Sequence, residues 1–174
     1  GLGGVLGYGC PTNNYAQRGS GMRGAYLGAG IDEWGNFLNR NDNSGNGVLT
    51  ATTKNYIGLR GKGEINLEYL NAKYGNAYFP LNTAGQNAVM EACKKGSFVR
   101  REGGKDVTVP LANYKELANY KLSNATPIGS SATTRAGATP INYRLRITEE
   151  GLLSFWWSYN GGQYVPLLTD KDII

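Results

Sequence analysis

The residues best suited to chemistry are a carboxylate and a carboxamide in the stretch Gly24–Phe37, which reads GAYLGAGIDEWGNF. Asp32 and Asn36 stand four residues apart, and Gly35 permits a tight turn between them. Oxygen ligands at this spacing could share one hard cation such as Ca²⁺, and the turn-rich residues 39–47 offer more of them. The same side chains could instead satisfy backbone groups at a strand end, because Asp and Asn favour turns for that reason. The spacing leaves both interpretations open.

The cysteine and histidine content restricts the metal and redox chemistry. The chain has no histidine, so it lacks the commonest general base and the commonest zinc ligand. Its two cysteines, Cys10 and Cys93, are too few for an ordinary structural zinc site. They could close a long loop as one disulfide or remain two buried free thiols. An exported domain favours the disulfide.

The carboxylates show no arrangement suited to catalysis. Many glycan-cleaving enzymes use two carboxylates across a cleft. The candidates here are Glu33, Glu64, Glu68, Glu149 and Glu150. No pattern sets two of them opposite each other, so we expect a binding protein and not an enzyme.

The composition indicates a single all-β domain. A length of 174 residues suits one domain with a sizeable core, and 26 glycines and 12 tyrosines favour strands and turns. No run of about 18 apolar residues occurs, so we expect no membrane insertion. The net charge of +5 includes one modest cluster at residues 94–105, which Glu102 interrupts. We expect that cluster to be solvated and not to bind nucleic acid.

Alternation of apolar residues places strands along the chain. The strand before the candidate calcium loop has two predicted faces, one with Ala25, Leu27, Ala29 and Ile31, the other with Tyr26, Gly28, Gly30 and Asp32. Further strands are predicted at residues 54–60, 64–70, 106–111, 142–148, 152–159 and 163–169. Residues 114–122 fit either a short helix or a strand.

Two local signals refine this outline. One short helix is predicted from a Thr83 cap to Gly96, which can end it in the left-handed conformation. On the strand at residues 152–159, the aromatic residues Phe155, Trp157 and Tyr159 are predicted to face the core. Trp156 lies on the opposite face and is a candidate platform for a ligand.

Three motifs occur in an order that resembles bacterial L-type (legume-lectin-like) lectin domains. They are GGVLGY at residues 3–8, AYLGAGIDEWGNF at residues 25–37 and NYIGLRG at residues 55–61. The segments YRLRI at 143–147 and LLSFWWSY at 152–159 resemble the paired strands near the end of that domain. The resemblance covers residues 1–61 and 142–174, whereas residues 71–139 read as an inserted or divergent region.

The resemblance implies a jelly-roll-like antiparallel β-sandwich over residues 1–174, with a calcium-assisted sugar site in the loops at one end. The positions that correspond to calcium ligands are Asp32, the Trp34 carbonyl, Asn36, and Asn41 or Asp42. Those that correspond to sugar contacts are Asn36 and the backbone N–H groups around Gly3 and Gly4. Trp34 is a further candidate, because its ring, or that of Tyr8 or Tyr26, could stack on the apolar face of a sugar.

Two departures from the family pattern bear on that site. Gly30 stands where plant lectins place a glutamate for a transition metal, so no second metal is expected. The loop that supplies a sugar-binding aspartate in the family would lie before Gly1. Gly1 is not a natural start, so we expect a processed or excised piece that lacks its N-terminal strands or has replaced that residue.

Together these features predict an extracellular adhesin domain on a cell surface or pilus. Its expected ligands are glycans of host or neighbouring cells, and its expected partners are other adhesin or pilus subunits. The alternative is a structural or protein-binding sandwich module that has lost sugar binding.

Overall fold

The computed structural model describes residues 8–10, 20–32, 37–38, 55–122 and 139–173, and the statements below concern these residues. They contain eight strands and two helices. In chain order these are β1 (Gly28–Asp32), β2 (Tyr56–Arg60), α1 (Leu67–Tyr74), α2 (Thr83–Lys95), β3 (Ser97–Glu102), β4 (Lys105–Pro110), β5 (Glu116–Lys121), β6 (Ile141–Ile147), β7 (Leu152–Tyr159) and β8 (Val165–Asp172).

The strands form three open antiparallel sheets, ordered β1-β2-β5, β3-β4 and β6-β7-β8. This confirms a mostly β fold built from antiparallel sheets. The jelly-roll connection stays a prediction. Neither described helix is long and apolar enough to cross a membrane.

The first and third sheets pack together through a shared apolar cluster. Ile57 and Leu59 on β2 meet Leu153, Phe155 and Trp157 on β7. These five side chains are at most 7% exposed. Across the described strands the two sheets approach most closely at β5 and β8. The arrangement is sandwich-like, and the prediction that Phe155 and Trp157 face its core is confirmed.

A second core lies beneath the helices and contains the disulfide. Cys10 and Cys93 are bonded, with their Cα atoms 6.3 Å apart, and both are fully buried. They pack with aromatic residues that include Phe79 and Tyr114. The bond joins the N-terminal segment to the end of α2, so the alternative of two free thiols is excluded.

Three of the element predictions are wrong. Residues 64–70 are not a strand, because Asn66 caps α1 by accepting the Tyr69 N–H at 3.1 Å, and Leu67 and Leu70 are buried on one face of that helix. The chain therefore has two described helices and not one. The cap of α2 is Asn82 and not Thr83, since its Oδ1 accepts the N–H groups of Ala84 and Gly85. Gly96 does end α2, with φ of 67°.

The described part of residues 71–139 supplies one strand to the first sheet. The ambiguous segment at 114–122 contains β5, which pairs with β2. The hairpin β3–β4 follows α2, and its first strand had no signal in the sequence. This part of the chain therefore supplies one edge of the first sheet.

A bulge in β8 is held by a side-chain network on the outer face of the third sheet. Asp170 has φ of 48° where the pairing with β7 shifts register. Ser154 Oγ accepts the Asp170 N–H and donates to Asp170 Oδ1, both at 3.0 Å. Arg146 donates to the same carboxylate oxygen at 2.6 Å. One network therefore links β6, β7 and β8.

Candidate functional site

The glycine face of β1 is the buried one. Its residues lie against three large side chains that contact the backbone directly. A Cβ added at Gly28, Gly30 or Gly58 would come within 2.8 Å of Tyr8, 2.5 Å of Phe37 and 2.5 Å of Leu38 respectively. Glycine is required there because these side chains occupy the space of a Cβ. The opposite face is more open, and Ile31 is 38% exposed.

Asp32 and Arg60 together hold the backbone of Phe37, and we call these three residues the loop anchor. Asp32 Oδ2 accepts the Phe37 N–H at 2.6 Å. Arg60 donates to the Phe37 carbonyl through Nε at 2.9 Å and Nη2 at 2.5 Å. Both charged side chains are buried, at 3% and 0% exposed. The loop anchor therefore ties the end of β1 to the backbone of Phe37.

The buried guanidinium of Arg60 links the loop anchor to the second core. Its Nη1 donates to the Tyr114 carbonyl at 2.8 Å. Burial lowers the pKa of Arg60 to about 10, and the nearby charges of Glu116, Tyr8 and Asp32 oppose that shift. Arg60 therefore remains a cation at neutral pH, and every nitrogen of its guanidinium bonds to a backbone carbonyl.

Two tyrosines pack beside Arg60. The hydroxyl of Tyr8 donates to the Gly61 carbonyl at 2.9 Å, and that of Tyr114 donates to the Met22 carbonyl at 2.9 Å. Their rings meet edge to face, with centroids 5.4 Å apart. Burial raises the pKa of Tyr8 to about 12 and also raises the pKa of Tyr114. Arg60, Tyr8 and Tyr114 thus form a polar group that is almost completely buried.

The predicted calcium ligands can be compared with the structure only at Asp32. Its contact with Phe37 agrees with the turn interpretation, in which the carboxylate satisfies a backbone group. A carboxylate has further lone pairs for a cation, so this contact and calcium binding are compatible. Among the described residues there is no group of three or more His, Cys, Asp or Glu side chains that could hold a metal ion. The other predicted site residues lie outside the described ranges; these are Gly3, Gly4, Trp34, Asn36, Asn41 and Asp42.

Asp32 ends β1 at the end of the sandwich that also carries three aromatic rings. Pairing across the first sheet sets Asp32 opposite Tyr56, and Tyr56 opposite Lys121. Tyr120, beside Lys121, points into the space between the sheets, and its ring centroid lies 5.9 Å from that of Trp157. Tyr143 is the cross-strand neighbour of Trp157 on β6. We call Tyr120, Tyr143 and Trp157 the aromatic end.

The aromatic end combines exposed rings with an unpaired donor. Tyr120 is 36% and Tyr143 is 65% exposed, whereas Trp157 is 7% exposed. The indole Nε1 of Trp157 is buried without a hydrogen-bond acceptor. Leaving a buried donor unpaired costs about 1–3 kcal/mol, so Trp157 is held there against a local penalty. The sequence placed Trp157 in the core but gave no sign of this group, because its members come from three separate strands.

Other candidate positions are less suited to a ligand. Trp156, the predicted platform, is half-buried on the outer face, opposite Arg144 and Pro166 on the neighbouring strands. A shallow pocket of about 240 Å³ lies at the other end of the sandwich, near Lys115 and Ile173, and no aromatic ring lines it.

The basic cluster is exposed and partly neutralised. Lys94 and Lys95 both pair with Glu91, and Arg100 pairs with Glu102. This agrees with the interpretation of the cluster as a solvated surface.

Searches of protein-family models, curated proteins and solved structures gave no match to this chain. The resemblance to bacterial L-type lectins therefore rests on the sequence motifs alone.

Proposed function

We propose that the chain is a carbohydrate-binding domain of an extracellular adhesin, which binds glycans at the aromatic end and the neighbouring loop anchor. The observation that carries the proposal is the pair of exposed rings, Tyr120 beside Trp157 and Tyr143 stacked on Phe155, at the end where Asp32 terminates β1. The resemblance of residues 25–37 to a lectin motif supports the proposal, because it implies a sugar-binding loop that follows Asp32.

Binding at this end uses two kinds of contact. The apolar face of a pyranose ring stacks on an exposed tyrosine ring, which provides contact area with little loss of side-chain entropy. Hydroxyl groups require polar partners of fixed orientation, and the loop anchor holds Asp32 and Phe37, which flank residues 33–36 in the sequence. We propose that Asn36 and the N–H groups of Gly3 and Gly4 supply these contacts. No bond is made or broken, so the protein binds without turnover.

We further propose that Asp32, the Trp34 carbonyl, Asn36 and Asp42 hold Ca²⁺. A bound cation of this kind orders a loop of oxygen ligands and keeps its acceptors in place. The part of this set that the structure describes is Asp32, which already contacts Phe37 within the same segment.

The test is a glycan array, probed with calcium and then with a chelator. We expect the wild-type chain to bind a defined subset of glycans. Tyr143→Ala should weaken that binding by roughly threefold to tenfold, because loss of one aromatic packing contact costs about 0.5–1.5 kcal/mol. Tyr164→Ala is the matched control. Tyr164 is 41% exposed but does not belong to the aromatic end, and Arg144 stacks on its ring.

The outcomes separate the parts of the proposal. Binding that disappears with chelator supports the calcium site, and binding that survives it removes calcium from the proposal. Binding that Tyr143→Ala leaves intact places the glycan elsewhere. An array without any bound glycan contradicts the proposed function and favours a protein-binding module.

A further inference from the structure

β6 forms an open edge of the third sheet. Among the described strands it pairs only with β7, and β1 is likewise an edge of the first sheet. The two sheets meet at the opposite side, where β5 packs on β8. Among the described strands, β5 and β8 thus lie next to each other on one side of the two sheets, and β6 is a strand edge on the other side.

One face of β6 lies on the same side of the third sheet as the core residues of β7. Its apolar side chains are nevertheless exposed to solvent. Tyr143, Leu145 and Ile147 are 65%, 40% and 45% exposed. Their cross-strand neighbours on β7 are buried; these are Trp157, Phe155 and Leu153. Neighbours across an antiparallel pair share one face of the sheet. The exposed apolar side chains of β6 thus extend the row of core residues on β7. They occur at every second residue, so a strand added at this edge could cover them with its own alternate side chains.

The other side of β6 is cationic. Arg144 and Arg146 alternate with the apolar residues and project from the outer face. Arg146 pairs with Asp170, whereas Arg144 stacks on Tyr164 with 4.6 Å between its Cζ and the ring centroid. Arg144 forms no ion pair with a carboxylate of the described residues.

The positive charge of Arg144 indicates which kind of strand can bind at this edge. A second copy of β6 laid antiparallel over its full length would bring Arg144 opposite Arg144, and like charges directly opposite are destabilising. A strand with acidic residues at the same positions would instead pair with Arg144. Unpaired strand edges bind extended peptides through backbone hydrogen bonds, while side chains of alternate residues give specificity.

We propose that β6 is a docking edge for an extended segment of a partner protein in which apolar residues alternate with acidic ones. The apolar residues of the segment cover Leu145 and Ile147, and an acidic residue faces Arg144. This interaction does not require glycan binding, but a segment that spans all of β6 also covers Tyr143 of the aromatic end, so peptide binding is measured without glycan.

The probe is a capped seven-residue peptide, Val-Glu-Val-Glu-Val-Glu-Val, whose length matches the seven residues of β6. The comparison peptide carries Lys in place of each Glu. Binding is measured by calorimetry, and amide resonances of β6 report where each peptide binds. We expect the Glu peptide to bind and the Lys peptide to bind roughly tenfold more weakly.

Two variants locate the contact. Arg144→Glu should reverse the preference in favour of the Lys peptide, which general damage to the fold cannot do. Leu145→Glu should reduce binding of the Glu peptide by roughly tenfold, because a charge then enters the apolar row. Val99→Glu on the hairpin β3–β4 is the matched control, since Val99 is 55% exposed and belongs to a different sheet from β6. Circular dichroism checks that each variant is folded.

Four results would overturn the proposal. They are the absence of binding by the Glu peptide, equal binding of both peptides, binding that neither β6 variant changes, and a homodimer that Leu145→Glu disrupts. The last would show that a second copy occupies this edge.

Discussion

At the scale of single residues, the contact of Leu38 with the backbone of β2 leads to a first prediction. Gly58→Ala should destabilise the fold by about 1–3 kcal/mol, since its Cβ would lie 2.5 Å from Leu38 in a packed core. Gly61→Ala is the matched control on the same segment, because its Cβ would meet the Leu117 side chain at 3.3 Å. Urea denaturation measures both; an equal loss in the two variants would show that the close contact is not the cause.

Asp32 permits a test that separates its structural role from calcium binding. Asp32→Ala leaves the Phe37 N–H without its buried acceptor, so we expect a loss of about 1–3 kcal/mol even in the presence of a chelator. If Asp32 also binds calcium, adding the ion should raise the melting temperature of the wild type and not that of the variant. Asp106→Ala removes an exposed carboxylate and serves as the control. If Asp32→Ala were as stable as the wild type, the structural role of Asp32 in the loop anchor would be contradicted.

The sequence indicated Asp32 but not Arg60, and the difference has a physical reason. Asp32 belongs to a local turn signal, and its partner Phe37 lies five residues away. Arg60 sits at the end of an alternating strand, where a charged residue is normally solvated. Its partners Phe37 and Tyr114 lie 23 and 54 residues away in the chain. A local pattern contains no information about such distant carbonyls.

At the scale of elements, the network around the β8 bulge gives a third prediction. Ser154→Ala removes both the acceptor for the Asp170 N–H and a donor to its carboxylate. We expect a loss of about 1–3 kcal/mol in urea denaturation, because Ser154 is fully buried. Ser158→Ala is the control, since Ser158 is buried on the same face of β7 but lies away from the bulge. A similar loss in both variants would remove the special role of Ser154.

Most elements followed from local patterns, and the exceptions are instructive. The alternation of the last three strands and the cap signals around α2 predicted β6, β7, β8 and that helix. α1 was misread because Ile65 and Leu67 fit a period of two, while Leu67 and Leu70 also fit a helix. A short apolar run fits both periods, and here the Asn66 cap favours the helix. β5 required knowledge of its partner β2, which no local pattern provides.

At the scale of the whole molecule, the buried tyrosines predict alkaline instability. The pKa of Tyr8 is raised from 10.0 to about 12, so its contribution to stability is complete below pH 10 and is lost as the pH rises through about 12. Tyr114 acts in the same direction. The lowered pKa of Arg60, about 10, acts in the opposite direction as the pH rises above that value. We expect the two tyrosines to dominate, so the free energy of unfolding falls above pH 10.

Tyr8→Phe tests this pH dependence. At neutral pH the variant should lose about 1 kcal/mol, because the hydrogen bond to the Gly61 carbonyl is removed. Above pH 10 its free energy of unfolding should fall less steeply than that of the wild type, as one raised tyrosine pKa is gone. Tyr26→Phe, at a residue that is 51% exposed, controls for loss of a hydroxyl. Parallel pH profiles for Tyr8→Phe and the wild type would contradict the assignment.

The disulfide has a mechanical consequence for a chain that is pulled from both ends. Cys10 and Cys93 are 83 residues apart, and the segment between them contains β1, β2, α1 and most of α2. Tension passes through the sulfur–sulfur bond and bypasses this segment, which therefore cannot extend. Roughly 280 Å of contour length stays hidden until a reductant releases it, at about 3.4 Å for each residue. The maximum length of a stretched oxidised chain would thus be set by the residues outside the disulfide loop. The loop anchor and the glycine face of β1 lie within that loop.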